Sequence, residues 1–271
     1  MRRIDGWNEV KELVSLFRSR DLVVTNFYPN EDEMSEWIEA GSFFCVEAEA
    51  ECGCFLHRTA DADFLFFFLR RLEDLGMVLT ALRKAVPGTV LAYDYICRTD
   101  AESTELQKQN EEASFSFHTL LRRMSVTKPM MVAEGSHDSL SYAELGDADA
   151  VHGMFCSSFD PISERIPTRK RLESYIRNRQ VLVKRSGGEI AGFAVVDIQK
   201  RTMYLKHLLT APGFRRKGVA ESLLHEAFSL SKECSRFILW VIDGNLPAVC
   251  LYEKFGYTFE NLRNYTYVCK P

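Results

Sequence analysis

The chain has 271 residues, which is enough for two domains of about 130 residues each. Its composition, 46% hydrophobic and 27% charged residues, is typical of soluble globular proteins, and its longest apolar run, 64–69, is far shorter than the ~20 residues that span a bilayer. The formal net charge of −4 argues against nucleic acid as a partner, since phosphate binding requires a basic surface. No apolar segment follows the charged N-terminus, so we expect a cytoplasmic protein that binds neither membrane nor nucleic acid.

The first half of the chain alternates between helical and strand patterns. The predicted helices are 9–19, 31–39, 72–86 and 101–112, and the predicted strands are 42–47, 54–57, 64–69 and 90–97, followed by final strands. This half is acidic, with 15 Lys+Arg against 22 Asp+Glu in residues 1–130. The segment 129–138 contains Pro129, Gly135 and small polar residues, which indicates a linker between domains 1–128 and 139–271.

The second half is mildly basic and also alternates. A strand at 140–144 precedes a helix that we expect Asp147 to cap. The remaining predicted elements are a helix at 168–178, a hairpin of strands 181–184 and 190–197, a strand at 203–210, an amphipathic helix from Gly218, an apolar strand at 236–242, a helix ending at Gly256 and two last strands.

Eight cysteines raise the possibility of a metal site or disulfides. Cys52 and Cys54 are separated by one residue, and the chain contains neither a Cys-x-x-Cys pair nor a His-Glu-x-x-His motif. The other six lie in apolar stretches, where a free thiol behaves as a small hydrophobe: Cys45, Cys97, Cys156, Cys234, Cys250 and Cys269. We therefore predict reduced structural thiols and no metal.

The ends of the two halves are similar. The segment Phe115-Ser-Phe-His-Thr-Leu120 matches Tyr257-Thr-Phe-Glu-Asn-Leu262 at one constant offset, and Val126 matches Val268 at the same offset. We interpret this as an internal duplication of an α/β domain with a mixed sheet; two unrelated α/β halves are the alternative. Where the second half has a basic turn, the first half reads Leu69-Arg-Arg-Leu-Glu-Asp-Leu-Gly-Met77, with acidic residues, which indicates a degenerate copy.

The most informative segment is 208–220, where a strand ends, a basic turn follows and a helix begins at once. The first turn of that helix presents unpaired N–H groups and the positive end of its dipole. Arg215, Arg216 and Lys217 add positive charge, and Gly218 allows a ligand to approach the backbone. These features favour a pyrophosphate-binding turn, although a solvated basic loop would have the same composition.

Two motifs resemble those of the GNAT superfamily of acyl-CoA-dependent N-acyltransferases. Arg215-x-x-Gly218-x-Ala220 is similar to the family signature Gln/Arg-x-x-Gly-x-Gly/Ala. About thirty residues later, the stretch from Asn245 to Tyr257 resembles the second motif, Asn-x-x-Ala-x-x-Leu-Tyr-x-x-x-Gly-Phe/Tyr. The resemblance implies two tandem GNAT-like domains and acetyl-CoA, or another short acyl-CoA, as cosubstrate.

The resemblance also implies a role for each motif position. Tyr252 would lie near the thioester sulfur and protonate the departing thiolate, unless it only packs in the core; Asn245 would contact the cosubstrate, or only cap its helix. The pantetheine arm and the pyrophosphate would be held by these residues: Leu208, Leu209, Thr210, Arg215, Arg216, Lys217, Gly218, Val219, Ala220 and Glu221.

The general base is harder to assign, because an alkyl amine must lose a proton that costs roughly 4–5 kcal/mol to remove at pH 7. Many members of the family carry a Glu on the strand that corresponds to 203–207, where this chain has no carboxylate. We take His207 as the first candidate. Asp197, Asp160 and Glu164 are weaker ones.

The leading hypothesis is an enzyme that transfers an acetyl group to a primary amine, either a small molecule or a peptide, by direct attack in a ternary complex. One alternative is an acyl-CoA-binding regulator without turnover. Another is an aminoacyl-tRNA-dependent peptidyl transferase, which the acidic net charge disfavours. Neither the acceptor nor the oligomeric state follows from the sequence.

Overall fold

A computed structural model describes residues 1–46, 52–127, 129 and 140–271. The chain forms two compact units: unit 1 comprises Met1–Leu120 and Leu262–Pro271, and unit 2 comprises Leu121–Asn261. These boundaries differ from 1–128 and 139–271 because two long strands each begin in one unit and end in the other. The predicted linker 129–138 lies outside the described residues except for Pro129.

Unit 1 contains a mixed sheet with four helices. Its elements are β1 (Arg2–Arg3), α1 (Trp7–Ser19), β2 (Val24–Thr25), α2 (Glu31–Glu39), β3 (Phe43–Val46), β4 (Cys52–Arg58), β5 (Asp63–Leu69), a 3-10 turn (Leu72–Asp74), α3 (Leu75–Ala85), β6 (Leu91–Cys97), α4 (Asp100–Ala113), the start of β7 (Ser116–Val126) and the end of β13 (Thr258–Cys269). The main sheet order is β1-β3-β4-β5-β6-β13, and β5 and β6 are parallel.

Local sequence explains the elements of unit 1. All seven residues of β5 are buried: six form the apolar run 64–69, and the first, Asp63, pairs with Arg58. Capping boxes begin α2 and α4, with Asn30 and Glu33 in the first and Thr99 and Glu102 in the second.

Unit 2 has the same layout. Its elements are the end of β7, β8 (Leu140–Tyr142), a 3-10 turn (Leu145–Asp147), α5 (Ala148–Ser158), α6 (Arg169–Arg177), β9 (Val181–Ser186), β10 (Glu189–Gln199), β11 (Thr202–Thr210), a 3-10 turn (Pro212–Phe214), α7 (Val219–Leu230), β12 (Arg236–Ile242), α8 (Leu246–Lys254) and the start of β13. The sheet order is β7-β12-β11-β10-β9-β8, in which β11 and β12 are parallel and the other neighbouring pairs are antiparallel.

Two apolar clusters build the core of unit 2. One contains Leu223, Leu224 and Phe228 of α7 together with Tyr252 of α8 and Phe255, the residue that follows α8. The other contains residues of α5 and α6 with the side chains of β9 and β10 that point toward them. Side chains of a strand alternate between faces, so β10 contributes to both clusters.

Several sequence predictions need correction. A single strand, β13, replaces the two last strands that we predicted. Asp147 occupies the N-cap position of α5 as predicted, but its side chain makes no cap hydrogen bond; the carboxylate instead accepts a hydrogen bond from the Glu144 N–H and pairs with Arg185. All eight thiols are free, but Cys156 and Cys250 are exposed and therefore do not pack as core hydrophobes.

Over the residues that the structure describes, no helix is long and apolar enough to cross a membrane. The same residues contain no cluster of three or more His, Cys, Asp or Glu side chains with the arrangement of a metal site.

Candidate active site

The parallel pair β11–β12 separates partway along its length. The two strands pair over four residues, ending at Leu205 opposite Leu239. Beyond that point β11 pairs only with β10, and β12 pairs only with β7. Among the described residues no hydrogen bond fills the edge of 206–210 that faces away from β10. An unpaired strand edge is a ready partner for an extended ligand with amide groups.

A β-bulge at Lys206 sets the direction of the open segment. On β10, Val195 pairs with His207 and the next residue, Val196, pairs with Leu205, so that Lys206 is the extra residue. Side chains of a regular strand alternate between the two faces of the sheet. After a bulge, each side chain lies on the face opposite to the one that this alternation would give. As a result His207 lies on the α5 side, and Leu208 packs in the cluster that contains α7.

The N-terminus of α7 lies just after this open edge and has no side-chain cap. Gly218 precedes the helix with φ +75°, a left-handed conformation in which glycine has no steric cost. Arg215, Arg216 and Lys217 are exposed. The Lys217 Nζ donates to the Gly213 carbonyl at 3.0 Å, which folds the basic turn back on itself. Open N–H groups, the helix dipole and three exposed cations together would favour the binding of an anion here.

Close packing brings this helix against the sheet at Gly192 of β10. A Cβ atom at position 192 would lie 2.5 Å from the Leu209 carbonyl oxygen and 2.7 Å from Val219 Cγ1, the first residue of α7. Only glycine allows the two elements to approach this closely. Gly192 was not identified from the sequence, although a glycine inside an otherwise apolar strand was an available signal.

The second motif forms α8. The Asn245 side chain accepts a hydrogen bond from the Ala248 N–H at 3.3 Å, so it caps the helix, and the side chain is exposed. Tyr252 is 7% exposed and belongs to the same apolar cluster as Leu205 and Leu239, the residues at which β11 and β12 separate. Burial raises the pKa of Tyr252, and the charge of Glu164 raises it further. The phenol therefore stays protonated at neutral pH.

The four candidate bases occupy different surroundings. His207 contacts the rings of Phe155 and Phe159, at 4.9 and 5.3 Å between centroids. Burial, with a smaller contribution from the Lys206 charge, lowers the pKa of His207 to about 4. Its imidazole is neutral at pH 7 and a weak base.

The carboxylates divide into two kinds. Asp197 is held by Gln180 at 3.0 Å and Lys206 at 3.5 Å, and Asp160 accepts three hydrogen bonds from the turn that it begins. Glu164 lies partly buried in the same turn between α5 and α6, where its carboxylate accepts a hydrogen bond from the Asp160 N–H. Burial raises the pKa of Glu164; the hydrogen bond from the Asp160 N–H opposes this shift and the charge of Asp160 adds to it, so that the pKa stays above its ordinary value. It is the carboxylate whose charge acts on Tyr252.

Glu221, the last residue of the expected pyrophosphate site, has its carboxylate in an ion pair with Lys254 at 2.9 Å. Lys254 partly offsets the negative charge of Glu221 in the first turn of α7, where that charge would otherwise repel an anionic ligand more strongly. A further cation, Lys184 of β9, donates to the Ser222 hydroxyl in the same turn at 3.0 Å.

The separating parallel pair and the uncapped helix led by glycine both lie in the part of the chain that matches a known family. Residues 149–257 match the model of the acetyltransferase (GNAT) family. Over 84 residues the chain is 31% identical to streptothricin acetyltransferase from Streptomyces lavendulae; that alignment covers 30% of this chain and 44% of the relative, less than half of its length. The second half of the chain therefore contains a GNAT-family domain.

Solved structures extend the likeness in fold to nearly the whole chain. A GCN5-related N-acetyltransferase from Sphaerobacter thermophilus aligns with a TM-score of 0.61 at 15% identity, over 97% of this chain and 92% of that one. A tandem GNAT protein from the clavulanic acid biosynthesis pathway aligns with a TM-score of 0.62 at 11% identity, over 97% and 95%. The chain therefore folds as two tandem GNAT-like domains, as the sequence predicted.

Proposed function

We propose that this protein transfers the acetyl group of acetyl-CoA, or another short acyl group from its CoA thioester, to a primary amine by direct attack in a ternary complex. One observation carries the proposal: in the unit that matches the family, the open edge of 206–210 leads directly into the uncapped N-terminus of α7. An extended arm with amide groups could pair with the open strand edge, and a pyrophosphate at its end could then accept from the N–H groups of α7.

The residues present fit acyl-CoA. The backbone of Leu208, Leu209 and Thr210 would hold the pantetheine arm, and N–H groups of the first turn of α7 would donate to the pyrophosphate. The exposed basic side chains beside that turn add long-range attraction. Asn245, at the start of α8, is exposed and would contact the cosubstrate while it caps its helix. The bound thioester supplies an activated acyl carbon, and the remaining steps belong to protein side chains.

Glu164 fits the amine better than His207 does. A primary amine is an ammonium ion at pH 7. A partly buried carboxylate attracts that cation and can take a proton from it, directly or through a water molecule. The neutral imidazole of His207 offers no such attraction, and its pKa of about 4 leaves it a poor proton acceptor. We therefore propose Glu164 as the group that receives the amine and its proton.

Tyr252 would act on the leaving sulfur. Its raised pKa keeps the proton on the phenol oxygen throughout the assay range. The phenol can therefore donate a hydrogen bond to the sulfur as negative charge develops there, and burial strengthens that interaction.

The acceptor that we propose is a small cationic amine. The sequence relative is named for acetylation of streptothricin, which supports an amine-bearing small molecule over a peptide.

The test combines binding and turnover. Calorimetric titration of acetyl-CoA at moderate salt should give saturable binding, which Arg215→Glu should weaken about tenfold through the reversed charge beside the pyrophosphate. The matched control is Arg70→Glu, an exposed arginine after β5 in unit 1, which should leave binding unchanged. Release of free thiol with a panel of cationic amines then detects transfer.

The alternatives predict other outcomes. Binding without thiol release for every amine would favour the acyl-CoA-binding regulator. Absence of binding, combined with a gel shift of tRNA, would favour the aminoacyl-tRNA-dependent peptidyl transferase.

A further inference from the structure

In unit 2 the separated strands β11 and β12 leave a gap for the cosubstrate. In unit 1 the segment 24–28 lies in the place where the corresponding gap would hold a second cosubstrate. β5 pairs with β4 along its whole length on one edge. On its other edge it pairs with β6 only through its first two residues. From there the parallel pair separates, as β11 and β12 do in unit 2, and β2 pairs instead with Phe68 and Leu69 at the end of β5. The chain thus supplies a strand of its own on the exposed side of β5.

Hydrogen bonds from this segment fill the rest of the open edge. Asn26 donates through Nδ2 to the Leu65 carbonyl at 2.9 Å and accepts through Oδ1 from the Phe67 N–H at 2.8 Å. The Thr25 hydroxyl donates to the Phe67 carbonyl at 2.5 Å. Asn26 is 2% exposed. The amide nitrogen and oxygen of Asn26 thus occupy backbone groups of β5 that an extended ligand would need as hydrogen-bond partners.

The segment continues toward β6. The Tyr28 hydroxyl donates to the Thr25 carbonyl at 3.0 Å. Tyr28 is also close enough to Arg98 and Asp94 for their charges to act on its pKa. Residues 24–28 therefore lie along the part of the β5 edge that β6 leaves unpaired.

The anion site of unit 1 is closed as well. The N–H of Gly76, in the first turn of α3, donates to Oε1 of Gln109 at 2.9 Å. Gln109 is 3% exposed and donates in turn to Glu105 at 2.7 Å. In the turn that leads into α3, Glu73 and Asp74 offset Arg70 and Arg71, and Asp74 pairs with Arg71 at 3.2 Å, so this turn lacks the excess of positive charge that three exposed cations give unit 2. Both features oppose the binding of a pyrophosphate.

The position of unit 1 that corresponds to Tyr252 holds an asparagine instead of a tyrosine. Asn110 in α4 and Tyr252 in α8 have equivalent places, because each accepts the N–H of the residue five positions later through its carbonyl, at 2.9 and 3.2 Å. The Asn110 side chain is committed to the unit 1 core, since it accepts from the Tyr93 hydroxyl and donates to the Leu106 carbonyl.

We infer that unit 1 is closed to acyl-CoA by its own residues 24–28, which take the place of a pantetheine arm, so that each chain binds one acyl-CoA, in unit 2. The count of one rests on the proposed function; the closure of unit 1 does not. A strand edge that is satisfied internally gives a unit that needs no ligand for its stability.

The first experiment measures stoichiometry. Equilibrium dialysis of the full-length protein against labelled acetyl-CoA should give one equivalent per chain, and Arg215→Glu should weaken that one site about tenfold. Two equivalents in the wild type, or a site that keeps wild-type affinity in Arg215→Glu, would overturn the inference. No binding at all would refute the proposed function, and closure is then decided by hydrogen exchange.

Hydrogen exchange tests the closure without depending on acyl-CoA. In the free protein the Phe67 amide should be protected, whereas open-edge amides of 206–210 should exchange rapidly and slow down only with acetyl-CoA. Asn26→Ala should speed exchange at Phe67 by about tenfold, since one buried hydrogen bond is lost. Asn30→Ala, which removes the exposed cap of α2, serves as the control and should leave Phe67 protected. Rapid exchange at Phe67 in the wild type, or slowing of β5 by acetyl-CoA, would contradict the closure.

Discussion

Two tyrosines at the end of α8 offer a matched test of the catalytic chemistry. Tyr252 and Tyr257 have ring centroids 5.9 Å apart, and both are buried. The Tyr257 hydroxyl has no hydrogen-bond partner in the described part of the chain. Only the Tyr252 phenol lies in the electrostatic reach of Glu164. Loss of each hydroxyl should therefore have a different consequence.

Tyr252→Phe should lower kcat by about a hundredfold, because the leaving sulfur loses its proton donor. The Kd for acetyl-CoA should stay nearly constant, since the backbone supplies most of the cosubstrate contacts. Steady-state thiol release and calorimetry measure the two quantities. Tyr257→Phe removes a buried, unpaired hydroxyl and should leave kcat unchanged with equal or greater stability. Equal losses of kcat in the two variants would indicate that Tyr252 acts only in packing.

A second prediction concerns pH. The pKa of Glu164 is raised above its ordinary value of 4.5, and the base works only when deprotonated. Activity at a given amine concentration should therefore fall as pH decreases through that raised pKa. Glu164→Gln should lower kcat/KM by about a hundredfold and abolish this acidic limb. The alkaline rise from deprotonation of the amine itself should remain.

His207→Gln is the control for that profile. It should keep the acidic limb, because an imidazole with a pKa of about 4 that is packed against two phenylalanines is a poor proton acceptor at pH 7. Loss of the limb in His207→Gln, with the limb intact in Glu164→Gln, would assign the base to the histidine.

The sequence predicts a residue's role best where that role follows from its immediate neighbours. The cap formed by Asn245 and the inward position of Tyr252 both follow from helical spacing and are present in the structure. The surroundings of Glu164 could not be foreseen, since they depend on a turn between α5 and α6 meeting a helix almost ninety residues later in the chain. The face of His207 was equally hidden, because the bulge at Lys206 reverses the alternation without any signal in composition.

At the scale of elements, the tight contact between α7 and β10 provides a third test of the site. Gly192→Ala should push Leu209 and Val219 apart, because the new methyl would lie 2.5 Å from a carbonyl oxygen. We expect a loss of about 1–3 kcal/mol in unfolding free energy and weaker binding of acetyl-CoA, since both halves of its site move. Thermal unfolding and calorimetry measure these effects.

Gly153 provides the matched control. It lies in α5, and no atom lies within 4 Å of the position that an alanine methyl would take, so Gly153→Ala should stabilise the helix by about 0.5–1 kcal/mol without changing affinity. If Gly192→Ala were as well tolerated as Gly153→Ala, the tight contact between helix and sheet would not be needed for the site.

Most elements were predictable because local signals agreed with their environment. The bounds of α2 and β12 match the predicted ones, since a capping box fixes the first and a buried apolar run fixes the second. The prediction of two last strands was wrong because the polar stretch around Asn261 resembles a turn. It is instead the point at which β13 passes from unit 2 to unit 1.

At the scale of the molecule, the two units share one fold and differ in what lies in the gap between their separated parallel strands. In unit 2 the gap lies beside exposed cations and an uncapped helix; in unit 1 Asn26 and Gln109 fill the equivalent groups. A strand edge near the core needs partners: in unit 1 the chain itself supplies them, and in unit 2 we propose that acyl-CoA does. The sequence indicated the degeneracy of the first copy through its acidic turn, but not the segment that closes it, because Asn26 and Leu65 are brought together only by the fold.

The path of β13 leads to a last prediction. Tyr267, near the C-terminus, is 4% exposed and stacks on Tyr93 of β6 at 5.9 Å between centroids, so the final strand completes the core of unit 1. Tyr267→Ala should cost about 3–5 kcal/mol of local stability and speed hydrogen exchange in β5 and β6. Phe259→Ala, on the same strand but in unit 2 beside Arg122, should instead affect β12. Faster exchange in β11 and β12 with protection kept in β5 and β6, in Tyr267→Ala, would show that the strand's end supports the other unit.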